Sequence, residues 1–128
     1  MKQKITFLLS GCFILFYSAC NNSDNTSKQL NIDAVKVSPG IFKILLENEH
    51  VRVIEYSLKP GEKDAWHTHP SKSSYVVSSG QLKVHLENGE TILADEKAGT
   101  ASWMDYVGKH YVENIGNTTV TIVLTEIK

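Results

Sequence analysis

The chain has 128 residues, enough for one compact domain and too few for two ordinary ones. Apolar residues make up 41% and charged residues 21%, which excludes a disordered tail and a multi-pass membrane protein. Thirteen Lys and Arg against fourteen Asp and Glu leave a net charge of −1, with no basic stripe, so no nucleic acid is expected among the partners.

Lys2 and Lys4 form a short positive region before an apolar run over 5–17, followed by Ser18-Ala19-Cys20. This is signal-peptide anatomy, and the run falls short of the roughly 20 residues a membrane-spanning helix needs. Ser18-Ala19 directly before Cys20 resembles a bacterial lipoprotein box, with Tyr17 where that box usually has Leu. The expected organisation is a signal peptide over 1–19, a lipid-anchored tether over 20–35 and a folded domain over 36–128. Cys12 leaves with the signal peptide, so Cys20 has no disulfide partner and is free to carry acyl chains. The polar stretch 21–28 (NNSDNTSK) suits a tether. The expected location is the cell envelope, on the periplasmic side or in the outer membrane. An uncleaved signal anchor and cleavage without lipidation are the alternatives.

From residue 32 onward no stretch has helical periodicity, and β-branched and aromatic residues cluster in short runs separated by turn signals. Strands are predicted over 42–46, 51–58, 74–78, 82–86, 91–94, 101–104, 110–114 and 120–127. Asn88-Gly89, between two alternating runs, predicts a hairpin with a type I′ turn. Such spacing indicates an all-β sandwich or barrel.

His67 and His69 form an H-x-H pair. On an extended strand residues i and i+2 face the same side, so both imidazoles can reach one metal ion. The wider spacing carries more information. Gly61, five residues, His67, one residue, His69, three residues, Ser73, six residues and Gly80 follow the first cupin motif, with Ser73 where that motif has Glu. Gly99, Asp105, Val107, His110 and Asn114 follow the second, with Asp105 for Pro and Val107 for Gly. The sequence resembles the small single-domain cupins over about residues 36 to 128.

That resemblance implies a double-stranded β-helix, or jelly-roll barrel, with the ligand site inside. It places His67, His69 and His110 at metal-ligand positions and leaves the fourth, a glutamate, without a counterpart. Three neutral imidazoles leave the full charge on one divalent transition ion, whether iron, zinc, nickel, copper or manganese. Such a centre favours an anionic or chelating ligand. Coordination needs deprotonated imidazoles, so binding is expected to weaken below about pH 6.

If Ser73 faces inward, as its motif position implies, so does Tyr75, and Trp103 also becomes a pocket candidate. Arg52 interrupts the apolar strand Val51-Arg52-Val53-Ile54. Turned inward it would hold a substrate carboxylate; turned outward it is a solvated charge. Three-histidine cupin sites are similar to those of thiol and diketone dioxygenases, so dioxygenase-like chemistry on a small molecule leads. Ring opening or isomerisation of a sugar acid, and non-catalytic capture of a metal or small ligand, are the alternatives. The apolar strand candidate over 41–46 offers an edge for a homodimer.

Overall fold

The computed structural model describes residues 29–128. The signal peptide over 1–19, Cys20 and the first part of the tether lie outside the described residues. Among the described residues no helix is long and apolar enough to cross a membrane.

One helical turn, α1 (Ala34–Val37), precedes nine strands: β1 (Phe42–Glu47), β2 (Val51–Leu58), β3 (His67–His69), β4 (Lys72–Ser78), β5 (Gly80–Leu86), β6 (Thr91–Glu96), β7 (Ala101–Met104), β8 (Val107–Asn114) and β9 (Val120–Ile127). A five-stranded sheet runs β1-β2-β9-β4-β7, and a four-stranded sheet runs β3-β8-β5-β6. All the ladders pairing these strands are antiparallel. The predicted strands fall within these elements, three with the same bounds. The strand carrying the H-x-H pair is short, and α1 went unpredicted because one turn has no period to read.

Alternation decides which side chains meet between the sheets. Along β2, Ile54, Tyr56 and Leu58 are buried, and along β9, Val120, Ile122 and Leu124 join them. A strand side chain reverses face at every residue, so these sets line one surface of the five-stranded sheet. Phe42 from β1 and Leu82 and Val112 from the opposite sheet close the core.

The packed unit begins earlier than residue 36. Ala34 is fully buried, and the Asp33 carboxylate caps α1 by accepting from the Val35 amide at 3.1 Å. Asp33 also bridges to Thr68, the residue between His67 and His69, so the end of the expected tether packs with the strands.

The hairpin between β5 and β6 forms where predicted, with a different turn. Gly89 has φ +87°, but Asn88 does not have positive φ, so the type I′ geometry is corrected. The Gly89 amide donates to the Leu86 carbonyl at 3.0 Å and the Leu86 amide to Glu90 at 2.9 Å. This is a type I turn closed by a left-handed glycine. The Asn88 side chain accepts from the Glu90 amide at 3.0 Å, which holds Asn88 out of the left-handed region.

Candidate metal centre

His67 and His69 come from β3, and His110 from β8 is the direct cross-strand partner of His67. The short strand places both members of the pair over the cavity between the sheets. One candidate ligand atom from each of the three residues lies within 4.8 Å of the others, and all three residues are buried. Ring centroids are 4.3 Å apart for His67 and His110, 4.7 Å for His67 and His69, and 5.6 Å for His69 and His110.

Hydrogen bonds settle which nitrogen of each ring is free. His67 Nδ1 donates to the Ala65 carbonyl and His110 Nδ1 to the Gly108 carbonyl, both at 2.7 Å. His69 Nδ1 donates to Glu126 Oε1 at 2.6 Å. A carbonyl or carboxylate oxygen only accepts, so each Nδ1 carries the proton and each Nε2 keeps a lone pair. Burial pushes His67 down to about 3 and His110 down to about 4, and it lowers His69 as well. His67 and His110 therefore stay neutral well below pH 6. Three neutral nitrogens with fixed tautomers, converging on a cavity, fit a divalent transition ion.

Behind His69 stands a chain of charges, with Glu126 buried and Arg52 and Asp33 half-buried. Glu126 Oε2 accepts from Arg52 Nε at 2.8 Å and pairs with Nη2 at 2.6 Å, while Arg52 Nη1 reaches Asp33 Oδ2 at 3.1 Å. Burial alone would raise the Glu126 carboxyl, but the bonds from His69 and Arg52 hold it below its ordinary range. The Arg52 guanidinium is thus committed to two carboxylates and orients His69 through Glu126. It lines not the histidine cavity but a separate cleft with Asp33, Thr68 and Glu126.

Solved structures with the same architecture come from several organisms. A cupin domain from Bordetella pertussis superposes with a TM-score of 0.64 at 26% identity, covering 69% of this chain and 92% of that one. An RmlC-like cupin with a double-stranded β-helix fold from Methanocaldococcus jannaschii gives 0.56 at 18%, covering 68% and 78%. The fold is that of a cupin. A Thermotoga maritima protein described as a predicted oxalate decarboxylase gives 0.50 at 25%, covering 67% and 77%. No family model matches the chain, and no curated protein does.

The cupin cavity holds about 280 Å³ and is bordered by the three histidines together with Asp64, Lys72, Ser74 and Glu96, over an apolar wall. Ser73 and Tyr75 are not among its lining, which corrects their expected inward orientation. Lys72, Ser74 and Val76 face inward on β4, so the alternate residues Ser73, Tyr75 and Val77 face out. Tyr75 is 50% exposed. Trp103, the cross-strand partner of Ser73, is 57% exposed and bonds Asp105 at the surface rather than the cavity.

At the inward position Ser74 offers a hydroxyl, shared with Ser102 at 2.7 Å, rather than a carboxylate. His85 stacks on Tyr111 at 4.2 Å and bonds Glu113 at 3.1 Å, outside the cluster.

Three cavity groups escaped the sequence reading. Asp64 is buried, accepts from the Val112 amide at 2.7 Å, and approaches His67 Nδ1 at 3.8 Å. Burial raises its carboxyl to about 7. Lys72 is 7% exposed, and burial lowers its amine while Glu126 and Glu96 pull it back up. Glu96 is also raised by burial, with Lys72 opposing. Glu126 was more accessible to reasoning, since alternation along β9 puts it on the same face as Val120, Ile122 and Leu124.

Proposed function

We propose that this chain is a metal-dependent cupin of the cell envelope whose three-histidine centre acts on a small anionic or chelating molecule, by dioxygenase-type chemistry. Three buried imidazoles that border one cavity, each with Nδ1 engaged and Nε2 left with its lone pair, carry this reading. A bound divalent ion supplies Lewis acidity and, if it is iron, the capacity to engage dioxygen. The chain's own residues bind, orient and exclude water. Ala65, Gly108 and Glu126 fix the imidazole tautomers. The apolar wall built by residues such as Leu82, Ile122 and Leu124 keeps bulk water from the reacting ligand.

The Thermotoga maritima similarity favours a second reading, in which a small carboxylate is the molecule bound. Export and anchoring through Cys20, and pairing of two copies along the outer edge of β1, complete the proposal. β1 closes one end of its sheet and exposes Leu45 and Leu46.

Elemental analysis of the purified chain tests the centre. One divalent transition ion per chain is expected. Single replacement of His67, His69 or His110 by Ala should empty the site, while His50→Ala and His85→Ala keep full occupancy. A chain that takes up none of iron, zinc, nickel, copper or manganese refutes the metal reading. Oxygen uptake with thiol and diketone substrates then separates dioxygenase from binder. Cys20→Ser should release the protein from membranes or leave the precursor uncleaved, and unchanged processing and fractionation would refute anchoring.

A further inference from the structure

We propose that Lys72 is the anion-recognising residue of the cavity, its ammonium binding a second negative group on a ligand whose first group is held at the histidine centre. The inference rests on the metal reading above and names the charge pattern of the molecule that site takes: a small dianion with two separated negative groups.

Lys72 lies on β4 between Glu126 of β9 and Met104 of β7, its cross-strand partners. It faces the cavity that also receives His67, His69 and His110. Its side chain is buried, yet the partner of Nζ is a thioether, Met104 Sδ, at 3.8 Å. Among the described residues no carboxylate lies within ion-pair distance of Nζ. Glu126 is the nearest candidate by register, but Arg52 takes its Oε2 and His69 its Oε1. A buried ammonium with three donors and one weak acceptor is costly unless something else completes its shell.

The charges around the cavity say what that something is. Glu126 is tied up by Arg52 and His69, and Asp64 accepts from the Val112 amide, so neither oxygen set serves the ammonium. Glu96 borders the same cavity without an ion pair to the ammonium. A divalent ion and an ammonium facing one small cavity repel until an anion sits between them. A monoanion on the metal leaves the ammonium bare, whereas a dianion satisfies both. Ser74, two residues along the same face, adds a neutral hydroxyl beside that position.

The test uses the intact chain loaded with cobalt(II). Calorimetric titrations follow cobalt alone, then acetate, oxalate, malonate and succinate, on the wild type, Lys72→Met and Lys72→Arg. One dicarboxylate should bind the wild type more tightly than acetate. Lys72→Met should lose about ten- to a hundredfold of that preference, while Lys72→Arg keeps most of it. Cobalt uptake by Lys72→Met should equal or exceed the wild type, since a like charge has gone. The unliganded Lys72→Met should melt at or above the wild-type temperature, because an apolar chain of similar length replaces an unpaired cation.

Wild-type chain that binds no dicarboxylate better than acetate overturns the proposal. So does a Lys72→Met chain that keeps the preference, or one that melts well below wild type, which marks a structural lysine. A wild type that takes up no cobalt overturns the metal reading itself, and this inference with it.

Discussion

Glu126 Oε1 accepts the Nδ1 proton of His69 at 2.6 Å while its other oxygen is clamped by Arg52. One carboxylate therefore fixes the tautomer of a metal-ligand candidate and, with Asp33, pairs the only charge that interrupts the core face of β2. Ala65 and Gly108 serve the other two rings with backbone carbonyls, so His69 alone is oriented by an ionised group. An ionised partner also makes the ring more basic and a stronger donor to a metal.

Glu126→Gln should lower metal affinity about ten- to a hundredfold, because the amide is a weaker acceptor and leaves Arg52 with only Asp33. Competition with a chromophoric chelator measures it. Affinity equal to wild type would show that His69 needs no such support.

Ser74→Glu should tighten metal binding, since Ser74 faces the cavity, whereas Ser73→Glu should leave it unchanged, since Ser73 faces out. Parallel zinc titrations of the two variants decide between the orientations. The reverse result would mean that β4 is shifted by one residue.

Stability of the metal-stripped chain should fall as pH drops from 6.5 towards 4. His67 at about 3 and His110 at about 4 refuse protons in the fold that the unfolded chain binds near 6.5. His69, also lowered, acts in the same sense. Asp64 acts against them. Raised from 3.8 to about 7, it keeps a proton in the fold that the unfolded chain releases, so it favours the acid side of that window. The imidazoles outnumber it, giving a net loss of roughly 1–2 kcal/mol per pH unit near pH 5. Asp64→Asn removes the opposing group and should steepen the slope by about one proton. Urea denaturation at several pH values between 5 and 7 reads both slopes, and a flat wild-type profile would contradict the burial of the ring nitrogens.

Gly89→Val should cost about 1 kcal/mol or more and lower the melting temperature by several degrees, because a β-branched residue is forced to a φ near +87°. An unchanged melting temperature would remove the left-handed residue from the turn.

Much of this molecule could be read before any coordinates. Alternation along 51–58 and 120–127 identified two strands to the residue, because period is a local property of a chain, and the resemblance to the cupin motifs marked the three candidate ligands. Ser73 was set inward by its motif position, but Pro70 follows β3 and β4 starts its own alternation at Lys72, which turns Ser74 rather than Ser73 inward.

Arg52 shows the other limit. Its sequence neighbourhood offered a substrate contact or a solvated charge, and the fold supplied a third answer from Glu126, 74 residues away. The sequence by itself determined the strands, the H-x-H pair and its distant third histidine, since these follow from side-chain periodicity and motif spacing. Only the tertiary structure decided the imidazole tautomers, the inward face of β4 and the unpaired Lys72. Each of those depends on which strands become neighbours, and pairing between distant segments brings together hydrogen-bond partners that no local pattern encodes.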